Sequence, residues 1–135
     1  MLFELGVNQR KEILIGIGPT ALPVLIATAL FPENIHGCIL IDAPVSYLTD
    51  TPYAAGTPMG ILAPGIMKVG DIPHLAGLIA PRRLIIAGGV ALNGKKLNEK
   101  ELQEAFAFTT KVYRATKAAA KLTITTEAKW EKIEL

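Results

Sequence analysis

Residues 13–21 constrain this chain more than any other stretch. Ile13, Leu14 and Ile15 begin an uncharged, largely β-branched run that continues through Gly16 and Ile17, Gly18 and Pro19 form a turn, and Thr20 and Ala21 open an apolar helix. A continuous apolar run of this kind marks a parallel strand covered on both faces. A sharp strand–turn–helix then commits the chain to an α/β layer, in which ligand sites form outside the carboxyl ends of the strands.

Helix–strand alternation carries this reading along the whole chain. A helix is predicted over about residues 21–31, with Thr20 as N-cap and Pro23 in a first turn that has no use for its missing N–H. A second buried strand covers 36–41 and closes on Asp42, Ala43 and Pro44. Prolines 44, 52, 58 and 64 and glycines 56, 60, 65 and 70 make residues 45–70 an irregular, lid-like loop. Asp71 is the predicted N-cap of a helix reaching about Ile79, with Pro73 in its first turn. A third strand at 83–87 ends in Gly88 and Gly89. The clearest helix runs from Asn98 to about Thr116, with an Asn98/Glu101 capping pair and apolar or threonine residues at 102, 105, 106, 109, 112, 113 and 116. A short fourth strand follows at 122–126, then a final helical turn or tail over 127–135. Residues 1–6 read as a helix end stopped by Gly6, which suggests that something precedes them. The expected fold is α/β: one domain, whole or partial, over 1–135, in three αβα layers around a mostly parallel sheet of about four strands. The alternation is that of a doubly wound layer.

Charge supports the layering. Between Glu12 and Lys68 only Glu33, Asp42 and Asp50 are charged, whereas nine of the 14 basic residues and six of the 12 acidic ones lie from Asn93 onward. An uncharged first half and a mixed-charge final third fit a central sheet followed by a surface helix. The net charge of +2 is too small to argue for nucleic acid or an anionic membrane as partner. The uncharged stretch at 13–32 is broken by Gly16, Gly18, Pro19 and Pro23, which argues against a membrane span or leader, so the expected location is the cytoplasm. Cys38, the single cysteine, excludes an internal disulfide and reads as an inert buried thiol.

Two chemistries use such a turn. As a phosphate cradle, Gly16, Gly18 and Ala21 fit the dinucleotide fingerprint G-x-G-x-x-G/A, and Asp42, at the end of the next strand, stands where a ribose hydroxyl needs an acceptor. Pro19 removes one N–H from that cradle, and glycines serving only a tight turn explain the same pattern. As a nucleophile elbow, G-x-S-x-G, the turn has Gly18 where the hydroxyl belongs. Thr20, one register later, is read as the helix cap. Ser46, the only serine, lies in the loop after a strand, where a turn-capping role is expected. His36 falls at the wrong end of its strand, and His74 in the first turns of a helix is expected at the surface or against the lid. Two scattered histidines and a buried cysteine make no metal site. Tyr47 and Tyr53 are expected to pack, and Lys95, Lys96 and Lys100 to be solvated.

Several segments together resemble the carboxyl-terminal half of an α/β hydrolase, closest to the acetyl xylan esterase and dienelactone-hydrolase-like branch. They are Ile15 to Gly18 before an alanine-rich helix, Ile39 to Tyr47, Pro64 to Ile66, Asp71 to Ala76, and the long helix ending in Phe108 to Tyr113. The most specific is Ala80, Pro81 and Arg82, leading into the strand that carries the family's catalytic acid. The resemblance implies a carboxylic-ester hydrolase, but its nucleophile position falls on Gly18. Its acid position falls within residues 88–91, and its histidine position falls near Thr126 and Glu127. All three lack the required side chain, which removes most of the rate enhancement.

The resemblance therefore implies a hydrolase-like protein or fragment without hydrolase activity of its own, acting as a binding or assembly module and needing no cofactor. A dinucleotide-binding module using Gly16, Gly18, Ala21 and Asp42 is the alternative, followed by an esterase with Thr20 or Ser46 as an unconventional nucleophile. The family's amino-terminal strands are not in this sequence, so the edge of the first strand is expected to need covering, by a second copy or by that missing half.

Overall fold

The computed structural model describes residues 12–127. Four parallel strands, β1 (Glu12–Ile17), β2 (Ile35–Pro44), β3 (Arg83–Val90) and β4 (Leu122–Thr125), form one sheet in the order β1-β2-β3-β4. Helix α1 (Ala21–Leu30) connects β1 to β2, α2 (Ile72–Gly77) precedes β3, and α3 (Glu99–Ala105) and α4 (Ala107–Ala115) lead to β4. The α/β class and the parallel four-stranded sheet flanked by helices are as the sequence predicts. The predicted elements in 1–6 and 128–135 lie outside the described residues.

Strand order departs from a doubly wound layer. Successive right-handed crossovers that always step in one direction place every helix on one face. Accordingly Leu22 and Leu25 of α1, Ile72 and Leu75 of α2, Leu102 of α3 and Tyr113 of α4 share one core with Cys38, Leu40, Leu84 and Ile86. The opposite face carries a smaller cluster of Ile39, Ile41, Ile85 and Ala87, with Ile13 packed against it. Both faces are apolar, as three layers require, but no reversal of strand order occurs among the described strands.

The prediction that β1 is covered on both faces is corrected. Ile15 is 46% exposed and Ile17 54%. Among the described residues β1 pairs only with β2 and is the sheet's edge, so its second face lacks the neighbours that bury Ile39 and Ile41.

Local capping follows the sequence at two helices. Asp71 Oδ1 accepts from Ile72 N at 2.8 Å at the start of α2. Asn98 and Glu101 exchange side-chain-to-backbone bonds at 3.0 Å each at the start of α3. The single long helix predicted over 98–116 is instead two, broken at Phe106, whose φ of −99° and ψ of 20° are not helical. The break lets α3 pack on β4 while α4 turns onto α2. There Thr109 donates to Pro73 O at 2.7 Å.

The Ala80–Pro81–Arg82 segment is structural. Ala80–Pro81 is a cis peptide. Arg82 Nη1 donates to Thr28 O at 2.6 Å and Ile35 O at 2.7 Å, at the end of α1 and the start of β2. Tyr113 Oη donates in turn to Arg82 O at 2.7 Å. One guanidinium thus ties α1, β2 and, through its own carbonyl, α4.

Candidate functional site at the strand ends

The turn after β1 has the backbone of a strand-to-helix elbow. Gly18 sits at φ +56°. A Cβ on Gly16 would fall 2.6 Å from Ala21 Cα, so the close passage of strand and helix requires glycine there. A Cβ on Gly18 would meet nothing within 4 Å.

Thr20 is not the helix cap the sequence suggests, because it makes no side-chain capping bond to α1. Its hydroxyl turns back instead, accepting from Ile17 N at 3.0 Å and donating to Ile17 O at 2.8 Å. It clamps the turn onto the end of β1, which leaves its proton engaged.

The next two strands repeat the backbone feature at the same level. Ile17 is level with Ile41, and Ile41 with Ala87. One residue further on, Gly18, Asp42 and Gly88 all have positive φ, at +56°, +47° and +81°. Asp42 is the one residue of the three with a side chain, and Asp is among the few besides glycine that tolerate this conformation. The β2–β3 ladder passes from Ile41–Ala87 to Ala43–Gly89 across this pair. Beyond it the alternation of faces switches: Cys38 and Leu40 face the helices before Asp42, and Ala43 and Val45 after it. The kink re-aims the residue at its centre, as bulges at site edges do.

A cavity of about 330 Å³ opens over this row. Gly18, Pro19, Asp42 and Pro44 line it from the strand ends, residues 54–58 and Ile61 from the long loop, and residues 90–92 with Gly94 from the turn after β3. Asp42 is the one charged residue among them. Its Oδ2 pairs with Lys96 Nζ at 3.0 Å, with both side chains partly exposed. Ala54 N donates to Leu92 O at 2.7 Å and Asn93 Nδ2 to Thr51 Oγ1 at 2.9 Å, which fastens the loop to that turn. Residues 45–70 are irregular as predicted, with short 3-10 turns at Met59–Ile61 and Ile66–Lys68.

Ser46 lies outside this cavity. Its hydroxyl donates to Asp71 Oδ2, Leu48 N donates to Ser46 Oγ at 2.9 Å, and Asp71 Oδ1 also accepts from Tyr47 N at 2.7 Å. His74 stands nearby, but its Nδ1 accepts from Asp71 N at 3.1 Å and its ring packs on Phe108 at 4.5 Å. Serine bonded to aspartate, with histidine held by a backbone amide, is not the order a nucleophile–base–acid relay needs. The group fastens the loop to α2. Tyr47 is buried as expected, and burial, reinforced by the Asp71 charge, pushes its phenol up. Tyr53 is 39% exposed and donates to Tyr47 O at 3.2 Å.

Cys38 is fully buried, and desolvation pushes its thiol up to about 11 against the opposing pull of Thr28 and Arg82. His36 is exposed near the start of β2, at the opposite end from the cavity. Among the described residues no His, Cys, Asp or Glu side chains group as a metal site, and no helix is long and apolar enough to cross a membrane.

The structure thus brings together Gly18 and Asp42 on one cavity, with Gly16 and Ala21 packed behind the turn, and leaves Thr20 and Ser46 in structural bonds. It adds Lys96, Gly88 and the loop segments 54–58 and 90–94. Of these, residues 54–58 belong to the lid-like loop predicted at 45–70 and Gly88 to the glycine pair after the third strand, whereas nothing in the sequence linked Lys96 to the site. No family model, no curated protein and no solved structure matches the chain.

Proposed function

We propose that this chain is an α/β-hydrolase-like module that holds a small molecule in the cavity above Gly18 without hydrolysing it. One observation carries the reading: the elbow backbone, with its positive φ and open cavity, is kept at a position that has no side chain to attack with. The acid position in residues 88–91 carries no carboxylate, and both histidines lie elsewhere. The likeness to acetyl xylan esterases and dienelactone hydrolases in the sequence supports the same reading. The test is turnover of p-nitrophenyl acetate by the wild type and by Thr20→Ala/Ser46→Ala. Equal, background-level rates are expected. Faster turnover by the wild type would restore an esterase with one of those hydroxyls as nucleophile.

An assembly role is favoured by a separate observation, the edge of β1 that is unpaired among the described residues, with Ile15 and Ile17 exposed beside it. Free strand edges template pairing, so a second copy or the strands of an amino-terminal half is the proposed cover. Sedimentation of the chain alone should give dimers or larger species, and a stable monomer counts against this. The geometry brings Gly18 and Asp42 of the dinucleotide alternative to one cavity, but Pro19 has no N–H and, among the described strands, the order has no reversal to form a crevice. A thermal shift with saturating NAD, NADP or FAD would revive it.

A further inference from the structure

The side chains of the cavity wall offer hydrogen-bond acceptors and no uncommitted donor. Pro19, Pro44 and Pro58 line it and have no N–H. Three of the other lining amides are spent within the chain: Ala54 N on Leu92 O at 2.7 Å, Ala91 N on Lys95 O at 2.9 Å, and Gly94 N on Ala91 O at 2.8 Å. Thr57 is the one polar, uncharged side chain in the wall, and its hydroxyl proton goes to Ala54 O at 2.7 Å, which leaves the oxygen as an acceptor. Asp42 is the one charge. Lys96 engages only its Oδ2, so Oδ1 retains its accepting capacity. Backbone geometry is given over to presenting this carboxylate: Asp42 itself is at φ +47°, and a Cβ on Gly88 would lie 2.5 Å from Oδ1. A positive φ at a residue with a side chain, beside a cavity, is a reason to look for a binding role there.

We propose that the cavity recognises a small ligand with an apolar body and a hydrogen-bond-donating head, above all a primary ammonium group set against Asp42, and that it discriminates against carboxylates. The inference rests on the cavity being a binding site. The apolar walls take the body, and the carboxylate gives a charge-assisted bond to the head. An anionic head meets the Asp42 charge and no free side-chain donor in the wall.

The test uses the full chain labelled with ¹⁵N and titrated with n-pentylamine, 1-pentanol and pentanoate, which share one apolar body. Amide shifts at residues 54–57 and 90–94 report occupancy. Pentylamine should bind about tenfold more tightly than pentanoate. Asp42→Asn, which keeps a residue tolerant of positive φ, should bring the two within about twofold. Lys96→Met keeps Asp42, removes its competing cation, and should widen the preference for the amine. Equal binding of all three probes, tighter binding of pentanoate, or an amine preference that survives Asp42→Asn overturns the head-group assignment while leaving the cavity as a site. An unchanged or reduced preference in Lys96→Met overturns it as well, including where Asp42→Asn fails to fold. No shift with any probe overturns the cavity as a binding site, and this inference with it.

Discussion

The Asp42 carboxylate fills the space that a side chain on residue 88 would need: a Cβ on Gly88 would lie 2.5 Å from Asp42 Oδ1. The two residues face each other across β2 and β3, and each has a positive φ, +47° and +81°. The glycine therefore serves a backbone conformation and a neighbour at once. Gly88→Ala should cost about 2–4 kcal/mol, combining left-handed strain with a clash against a partly fixed carboxylate. Replacing Asp42 by Gly in the same chain removes both the clash and the strain at 42. The double variant Asp42→Gly/Gly88→Ala should therefore be more stable than Gly88→Ala alone in urea unfolding. A double variant no more stable than the single one would show that the two positions are not coupled.

Arg82 supplies the second prediction. Its Nη1 satisfies Thr28 O and Ile35 O at 2.6 and 2.7 Å, where α1 ends and β2 begins. Arg82→Met keeps much of the aliphatic stem but leaves two carbonyls without their charged donor. Bonds to a charged group contribute about 1.5–3 kcal/mol each, and the partial exposure of this side chain lowers the sum to about 3 kcal/mol. Thermal unfolding should show a clear fall in Tm, with Arg82→Lys in between because an ammonium lacks the planar fork. A variant as stable as the wild type would mean that water replaces the guanidinium at no cost.

Arg82 also shows where reading the sequence stops. Apolar runs and turn residues located all four strands, since period and punctuation are local properties. The Asp71 and Asn98 caps were legible for the same reason. Sheet order was not, because alternation alone does not say whether successive strands step in one direction or reverse. Exposure of Ile15 and Ile17 is likewise set by what lies beside β1, not by β1 itself. The Ala80, Pro81 and Arg82 motif was visible as a motif, but its task depends on carbonyls about fifty residues away in sequence. The pairing of Asp42 with Lys96 is similarly non-local, and no spacing rule connects them. Thr20 had the right residue type for a cap and bonded backward instead, because Ile17 offers it both a donor and an acceptor.

Tyr47 carries a cost that a single atom can remove. The residue is 5% exposed, and its Oη is buried with no hydrogen-bond partner among the described residues. An unsatisfied buried hydroxyl costs about 1–3 kcal/mol. Tyr47→Phe deletes that atom and keeps the ring that packs in the core. The variant should be more stable by about 1 kcal/mol, read as a higher urea midpoint at unchanged slope. A loss of stability would reveal a partner for the hydroxyl, such as an ordered water.

Burial of Cys38 makes the fold sensitive to alkali. The thiol is pushed up to about 11 in the folded chain from its ordinary value of 9.0, chiefly by desolvation. Between these values the unfolded chain releases the proton and the folded chain retains it. The unfolded state then binds fewer protons, so stability is full below about pH 9 and falls as pH rises toward 11. The slope from this one group approaches about 1.4 kcal/mol per pH unit. Tyr113, also raised by burial, adds to the fall in the same direction from its ordinary value of 10.0 upward. Urea midpoints measured from pH 8 to about 10.5 should therefore decline in the wild type and decline less in Cys38→Ala, whatever the variant's absolute stability. In the native protein the thiol should stay unreactive toward a disulfide reagent at pH 8 and react at once on unfolding. Rapid labelling of the folded chain, or parallel pH profiles for the two proteins, would contradict the assignment of a protonated, enclosed Cys38.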